Sequence, residues 1–244
     1  MEKLVSLLIW ASLLAIAVAW WRQDALPEPG RLLQQLAEEP RQTETSRPPF
    51  QTTVGDVVYT VKPLYEYDLY GLVVSKHNAD SWWDYIHAAW NDKLNVTDLC
   101  VIWGDNALQG RYRKVSFSSG QFVCYFETSS QEAFEAFDPA QLSNNHLLSD
   151  NLHLSKRLRE VRIGDQVHFR GVLAEYSHHH GFAFWRGSST VRTDSGNGAC
   201  ETVYVSDAEI LRGDRFWSRT FWVAAILFVA GIVTKICMPY RVFD

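Results

Sequence analysis

An α+β fold, with one mainly antiparallel β-sheet or OB-like barrel and a few packed helices between two transmembrane helices, is what this 244-residue sequence predicts. Three observations predict it. Both ends are long apolar runs, the middle repeats short β-branched and aromatic runs separated by Gly-, Asn- and Asp-rich turns, and a few amphipathic stretches interrupt those runs.

The first element is residues 1–21. Leu4 to Trp21 holds 18 uncharged, mostly apolar residues between Lys3 and Arg22, and as a helix it spans roughly 27 Å, nearly a bilayer core. A cleaved signal peptide is the competing reading, because Ala17-Val18-Ala19 resembles a cleavage site. Trp20-Trp21 suits an interfacial anchor better. Residues 22–53 hold five of the eight prolines, many charges and one small apolar patch at Leu32, Leu33 and Leu36, and read as a linker.

The soluble domain spans residues 54–213. Val57 to Val61 and Leu69 to Val74 read as its first two strands, with Tyr65, Tyr67 and Tyr70 between them. Asp80-Ser81 opens a helix in which Trp83, Ile86, His87 and Trp90 fall at i, i+3, i+4 and i+7. Strands follow at Leu99 to Trp103, Tyr112 to Phe117 and Phe122 to Phe126, in the order of a meander. Ser129 or Ser130 caps a short helix, and Asp150 caps another containing Leu154, Leu158 and Val161. The stretch from Ile163 to Leu211 closes the domain with two strands. In the first, Val167, Phe169, Val172 and Ala174 share a face across a glycine step at Gly171, which reads as a bulge or a barrel bend. The second, Thr202 to Val205, follows the turn-forming run Asp194 to Gly198.

Residues 216–238 form the second membrane segment, with Trp217, Trp222 and Tyr240 as an aromatic belt and 239–244 as a short tail. A buried core helix is the alternative. Two anchors put both termini on one side. The formal net charge of −5 leaves no basic field for a phosphate backbone, so an OB-like barrel here is not expected to bind nucleic acid.

Few residues point to chemistry. His178, His179 and His180 could contribute to a metal site, but adjacent residues rarely face one ion and no second ligand motif is present, so a solvated hairpin tip is the plainer reading. His146 stands where a polar patch enters an apolar one. The densest polar cluster runs from Ser188 to Glu201 and includes Asn197 and Cys200, with Ser189, Arg192, Asp194 and Glu201 as candidates. It has no Gly-x-Ser-x-Gly elbow and misses the spacing of a calcium loop, and a hairpin in which Arg192 pairs with Asp194 or Glu201 is the plainer reading. Cys100 and Cys124 each lie inside an apolar strand and could bridge if the domain is extracytoplasmic; buried free thiols fit as well. The tryptophans could form a binding platform, although core packing explains most of them. No cofactor is expected.

Leu142-Ser143-Asn144-Asn145-His146-Leu147, Gly164-Asp165-x-Val167, Gly171-Val172-Leu173 and the run from Ser188-Ser189-Thr190 through Arg192, Asp194, Gly196 and Gly198 to Ala199-Cys200-Glu201 together resemble an uncharacterised family of membrane-anchored bacterial proteins, over roughly 54–211. That resemblance implies a bacterial source and a single domain, and no activity. The expectation is a bacterial inner-membrane accessory or scaffold protein whose periplasmic domain binds protein partners in the cell envelope. The alternative is a membrane-anchored hydrolase or metal-dependent enzyme using the Ser188 to Glu201 cluster with His146 or the histidine turn.

Overall fold

A computed structural model describes residues 2–194 and 199–238. The turn residues Ser195 to Gly198, the tail 239–244 and the belt residue Tyr240 lie outside the described residues. The first element, α1 (Glu2–Arg22), covers the N-terminal apolar run.

The soluble unit spans 26–213. Here the segment read as a linker is part of the fold: β1 (Arg41–Glu44) and β2 (Phe50–Val54) both pair antiparallel with β3 (Val57–Asn78), and Leu32 and Leu36 are buried. Pairing with β3 and burial of those two leucines together hold a segment that composition alone marks as loose. The two strands read at 57–61 and 69–74 are one 22-residue strand. Pro63 does not interrupt it because the register against a neighbouring strand shifts between Pro63 and Tyr65, and a bulge is where a residue without an N–H fits.

The amphipathic stretch that follows makes only one helical turn, α2 (Ile86–Ala89). Asp84 caps it by accepting from the His87 backbone N–H at 2.9 Å, and Asn91 ends it in a left-handed conformation. The chain continues through β4 (Asn95–Ile102), α3 (Gly104–Leu108), the hairpin β5 (Ser116–Gly120) and β6 (Val123–Glu127), α4 (Gln131–Ala136), β7 (Leu142–Leu148), α5 (Leu152–Glu160), β8 (Gln166–His178), β9 (Phe184–Arg186) and β10 (Glu201–Arg212). The strand expected at Tyr112 to Phe117 starts late, because Arg111–Lys114 form a 3-10 turn that buries the Tyr112 ring. Ser130 caps α4, accepting from Ala133 N; Asn151, not Asp150, caps α5.

The sheet is mostly antiparallel. β3 pairs β4, β4 pairs β7, β7 runs parallel to β10, and β10 pairs β8, which pairs β3 again. These five pairings return to their starting strand. Between β7 and β8, α5 packs Leu154 and Leu158 on the main core of Leu69, Leu99, Leu147, Phe169 and Val203. Lys76 Nζ donates to the carbonyls of Arg159 at 3.0 Å and Val161 at 2.5 Å, holding the C-terminal end of that helix; burial lowers the Lys76 pKa to about 8.

Gly171 differs from its sequence reading. β8 alternates without a break, so Val167, Phe169 and Leu173 face the main core while Val172 and Ala174 face a second one with Tyr59 and Tyr176. The extra residue is Ser206 on the partner strand, where the register shifts between Val205 and Asp207. Gly171 serves the close approach itself, since a Cβ there would stand 2.2 Å from the Tyr204 carbonyl oxygen.

Cys100 and Cys124 are joined in a disulfide that ties β4 to the hairpin. The last element, α6 (Phe216–Cys237), belongs with α1 to a separate unit, and both helices are long and apolar enough to cross a membrane. They contact each other, with Lys235 Nζ donating to Ser6 Oγ at 3.3 Å.

Candidate functional site

The alternation of β4 splits its side chains. Leu99 and Val101 join the main core, whereas Asp98 and Cys100 point the other way. The β4 to β7 register sets Asp98 opposite His146 and Cys100 opposite Asn144. Polar residues at matching positions of two neighbouring strands therefore gather on one face, and the hairpin tip covers them. Phe122, at that tip, has φ 64°, a conformation that costs a bulky residue on the order of 1–3 kcal/mol. Its N–H donates to Asp98 Oδ2 at 3.1 Å, and its ring stacks on His87 and meets His146 edge-on.

One hydrogen-bond chain runs through this face. Arg186 Nη2 lies 2.6 Å from His146 Nε2, and His146 Nδ1 lies 2.7 Å from Asp98 Oδ1. Asn95 Nδ2 donates to Asp98 Oδ1 at 2.9 Å and reaches His87 Nε2 at 3.0 Å. His87 Nδ1 and His77 Nε2 each lie 2.5 Å from Asp84 Oδ2. An arginine cannot accept, so in this arrangement His146 carries its proton on Nδ1 toward Asp98. Cys200 is a free, partly buried thiol at the same place: Asn144 Nδ2 is 3.6 Å from its sulfur, which reaches the Phe122 carbonyl at 3.8 Å.

Burial presses the His146 pKa down, but the charge of Asp98 overrides it and lifts it to about 9, with Arg186 opposing. Arg186 is held there by His146 Nε2 and by the Phe122 ring, whose centroid lies 4.0 Å from its guanidinium. Burial likewise works to raise Asp98 and Cys200, yet His146 brings both below their ordinary values, with help from Asn95 for the acid and from Asn144 and Arg186 for the thiol.

The predicted candidates divide between two places. His146 belongs to the chain just described. Arg192 and Glu201 form an ion pair, Ser143 Oγ donates to the same carboxylate, and the Arg192 guanidinium lies over Tyr67 and Trp103; burial raises the Glu201 pKa. Ser189 Oγ donates to Asp194 Oδ2 at 2.5 Å and accepts from Val191 N. These bonds clamp the loop between β9 and β10, and none of them reaches an imidazole. His178 Nε2 is bonded to the Trp90 carbonyl at 2.8 Å and His180 turns to Asp56 at 3.7 Å, so the histidine turn does not aim three rings at one point.

Among the described residues, the group whose donor atoms converge is His77, Asp84 and His87. Two imidazoles and a carboxylate could hold a zinc-like ion. As placed, the shared carboxylate oxygen hydrogen-bonds both rings at 2.5 Å, closer than roughly 3.3 Å, the separation that bonds of ~2.0–2.1 Å at tetrahedral angles would give. A groove of about 410 Å³ lies elsewhere, beside β1; Arg47 pairs there with Glu66, and Arg170 with Asp207.

Asp98, Asn95 and Arg186 were not singled out from the sequence, and Cys200 had no assigned partner. The available signal was a lone acid, Asp98, inside the apolar run of β4, and the polar run Ser143 to His146 at the start of an apolar patch. The tryptophans also differ from expectation: of those in the soluble unit only Trp103 is buried. No family model matches the chain, and no curated protein or solved structure is significantly similar to it.

Proposed function

We propose that this is a bacterial inner-membrane protein held by α1 and α6, whose periplasmic domain is an OB-like barrel acting as an accessory or scaffold subunit for other envelope proteins. The observation that carries the binding reading is a set of exposed aromatic side chains. Trp82 is 96% exposed and Trp185 65%, with Trp83, Tyr85 and Trp90 also open to solvent. They stand on 78–94 and 178–188, the segments leading into β4 and β10. Trp90 stacks on Phe122, next to the polar face. Exposed, well-supported aromatics are the residue type enriched at protein interfaces.

The OB-like reading is supported by strand order. In the ring β3-β4-β7-β10-β8, the third and fifth strands in sequence run parallel and a helix sits between the third and fourth. In OB-folds the face of strands two and three and the loops joining strands one to two and four to five bind ligands. Here those are β4, β7 and the aromatic segments. The net charge of −5 turns the reading toward proteins and away from nucleic acid. The Cys100–Cys124 bridge supports the periplasmic side, because disulfides persist in oxidising compartments.

The test is site-specific photo-cross-linking in cells, with the photoreactive residue at Trp82 or Trp185 and at exposed Leu152 as control. Discrete larger adducts from 82 and 185 but not 152 are expected. Monomer alone at all three positions contradicts the proposal.

A further inference from the structure

We propose that His77, Asp84 and His87 bind a divalent cation of the zinc class, and that this ion organises the segment 79–93. The inference goes beyond the docking reading and does not depend on it. The three residues come from separate places: His77 from the end of β3, Asp84 from the loop that follows, and His87 from α2. The β3 to β4 register sets His77 opposite Asp98, which brings it to the polar face. One donor atom from each of the three lies within 4.8 Å of the other two, and the side chains of His77, Asp84 and His87 are 0%, 0% and 2% exposed. Two imidazoles and a carboxylate are a donor set that suits zinc and its neighbours among the transition metals.

A second observation, independent of those distances, is the burial pattern of 79–93. The residues buried in it are Asp84, His87 and Asp92, all polar, while Trp82, Trp83, Tyr85 and Trp90 are exposed. Folded segments ordinarily do the reverse. With its large apolar side chains turned outward the segment has no hydrophobic core of its own, and one turn of helix is too short to hold itself. Its order has to come from the polar groups inside, and metal ligation supplies folding free energy directly. The setting favours a cation, since three carboxylates, Asp84, Asp92 and Asp98, are buried within it; the Arg186–His146 pair is engaged with Asp98, not with Asp84.

The ion takes the place of the two protons that Asp84 Oδ2 accepts. Each N···O separation opens from 2.5 Å to roughly 3.3 Å, and each neutral ring carries its proton on the other nitrogen. For His77 that nitrogen, Nδ1, is buried without a hydrogen-bond partner, so no bond is lost there. For His87 it is Nε2, which lies 3.0 Å from the Asn95 amide. Asn95 Oδ1 is also buried without a partner, and turning the amide presents it to the Nε2–H, the kind of outer bond that metal-bound histidines make. Asp98 keeps its bonds to His146 Nδ1 and the Phe122 N–H. Three protein ligands leave the fourth position of a tetrahedral ion to water.

The test uses the full chain in detergent micelles, purified without a histidine tag, stripped with a chelator and reloaded with Zn²⁺. About one ion per chain should survive dialysis, measured by plasma mass spectrometry, and should raise the melting temperature. Asp84→Asn and His87→Gln should weaken binding by more than roughly tenfold, the loss that follows removal of even an outer partner. His179→Ala with His180→Ala, both exposed, should leave it unchanged. Hydrogen exchange of the parent chain depends on no variant folding: Zn²⁺ should slow amide exchange across 79–93 about tenfold and leave α5 unchanged. A parent chain that binds no Zn²⁺, or one whose exchange in 79–93 is not slowed by it, overturns the proposal. So does binding that survives both Asp84→Asn and His87→Gln in folded protein.

Discussion

His146 gathers the most consequence of any single residue. Its pKa, raised to about 9 by Asp98 against burial, lies above the ~6.5 of an unfolded histidine. The stability it contributes is therefore fully present below about pH 6.5 and lost as pH rises through about 9. Melting temperature should fall across that window, and the fall should shrink in His146→Gln; a flat profile in the parent chain would contradict the assignment. On the other side of β7, the Arg192–Glu201 pair holds a carboxylate that is 4% exposed. Arg192→Ala leaves that charge buried without its partner and should destabilise the domain by roughly 3 kcal/mol, the lower end for a broken buried pair because Arg192 is itself partly exposed; Arg192→Ala with Glu201→Gln should recover much of it. His146 was legible because it stands among asparagines. Asp98 was not, since in sequence it is one acid within an apolar strand and only pairing with β7 reveals its partner.

At the scale of elements, close backbone contacts and covalent ties decide what can change. Gly171→Ala places a methyl 2.2 Å from the Tyr204 carbonyl, a fixed backbone atom, and should cost about 3 kcal/mol, read as a lower denaturant midpoint. Reducing the Cys100–Cys124 bridge, which closes a 24-residue separation, should cost about 3 kcal/mol by the loop-entropy relation and loosen the hairpin that carries Phe122 over the polar face. β8 and β10 were readable as strands from their β-branched and aromatic runs, but the faces of β8 were misread at Gly171 and the extra residue of β10 at Ser206 was not seen; the helices α4 and α5 were readable from their apolar spacing. Among those that misled were β3, whose proline is accommodated beside an extra residue, Leu64, in its pairing with β8, and α2, where Asp84 binds two histidines and a backbone N–H instead of extending a helix. The 22–53 segment misled for a related reason: β1 and β2 are edge strands whose pairing comes from β3, not from their own composition.

For the whole molecule, two apolar terminal helices and a strand ring with exposed aromatics give the account its shape. The ends and the α+β class could be read from hydropathy and periodicity. The closing pairing of β8 with β3 could not, because it joins residues about a hundred positions apart, such as Leu69 and Phe169. The central claim is that this disulfide-braced domain faces an oxidising compartment. The most direct measurement is labelling of intact cells with a membrane-impermeant maleimide, in a Cys200→Ala, Cys237→Ala background, before and after a reductant that does not cross the inner membrane. The account predicts that Cys100 and Cys124 label only after reduction, with the inner membrane sealed. Labelling that appears only when that membrane is opened, and without reduction, would contradict it.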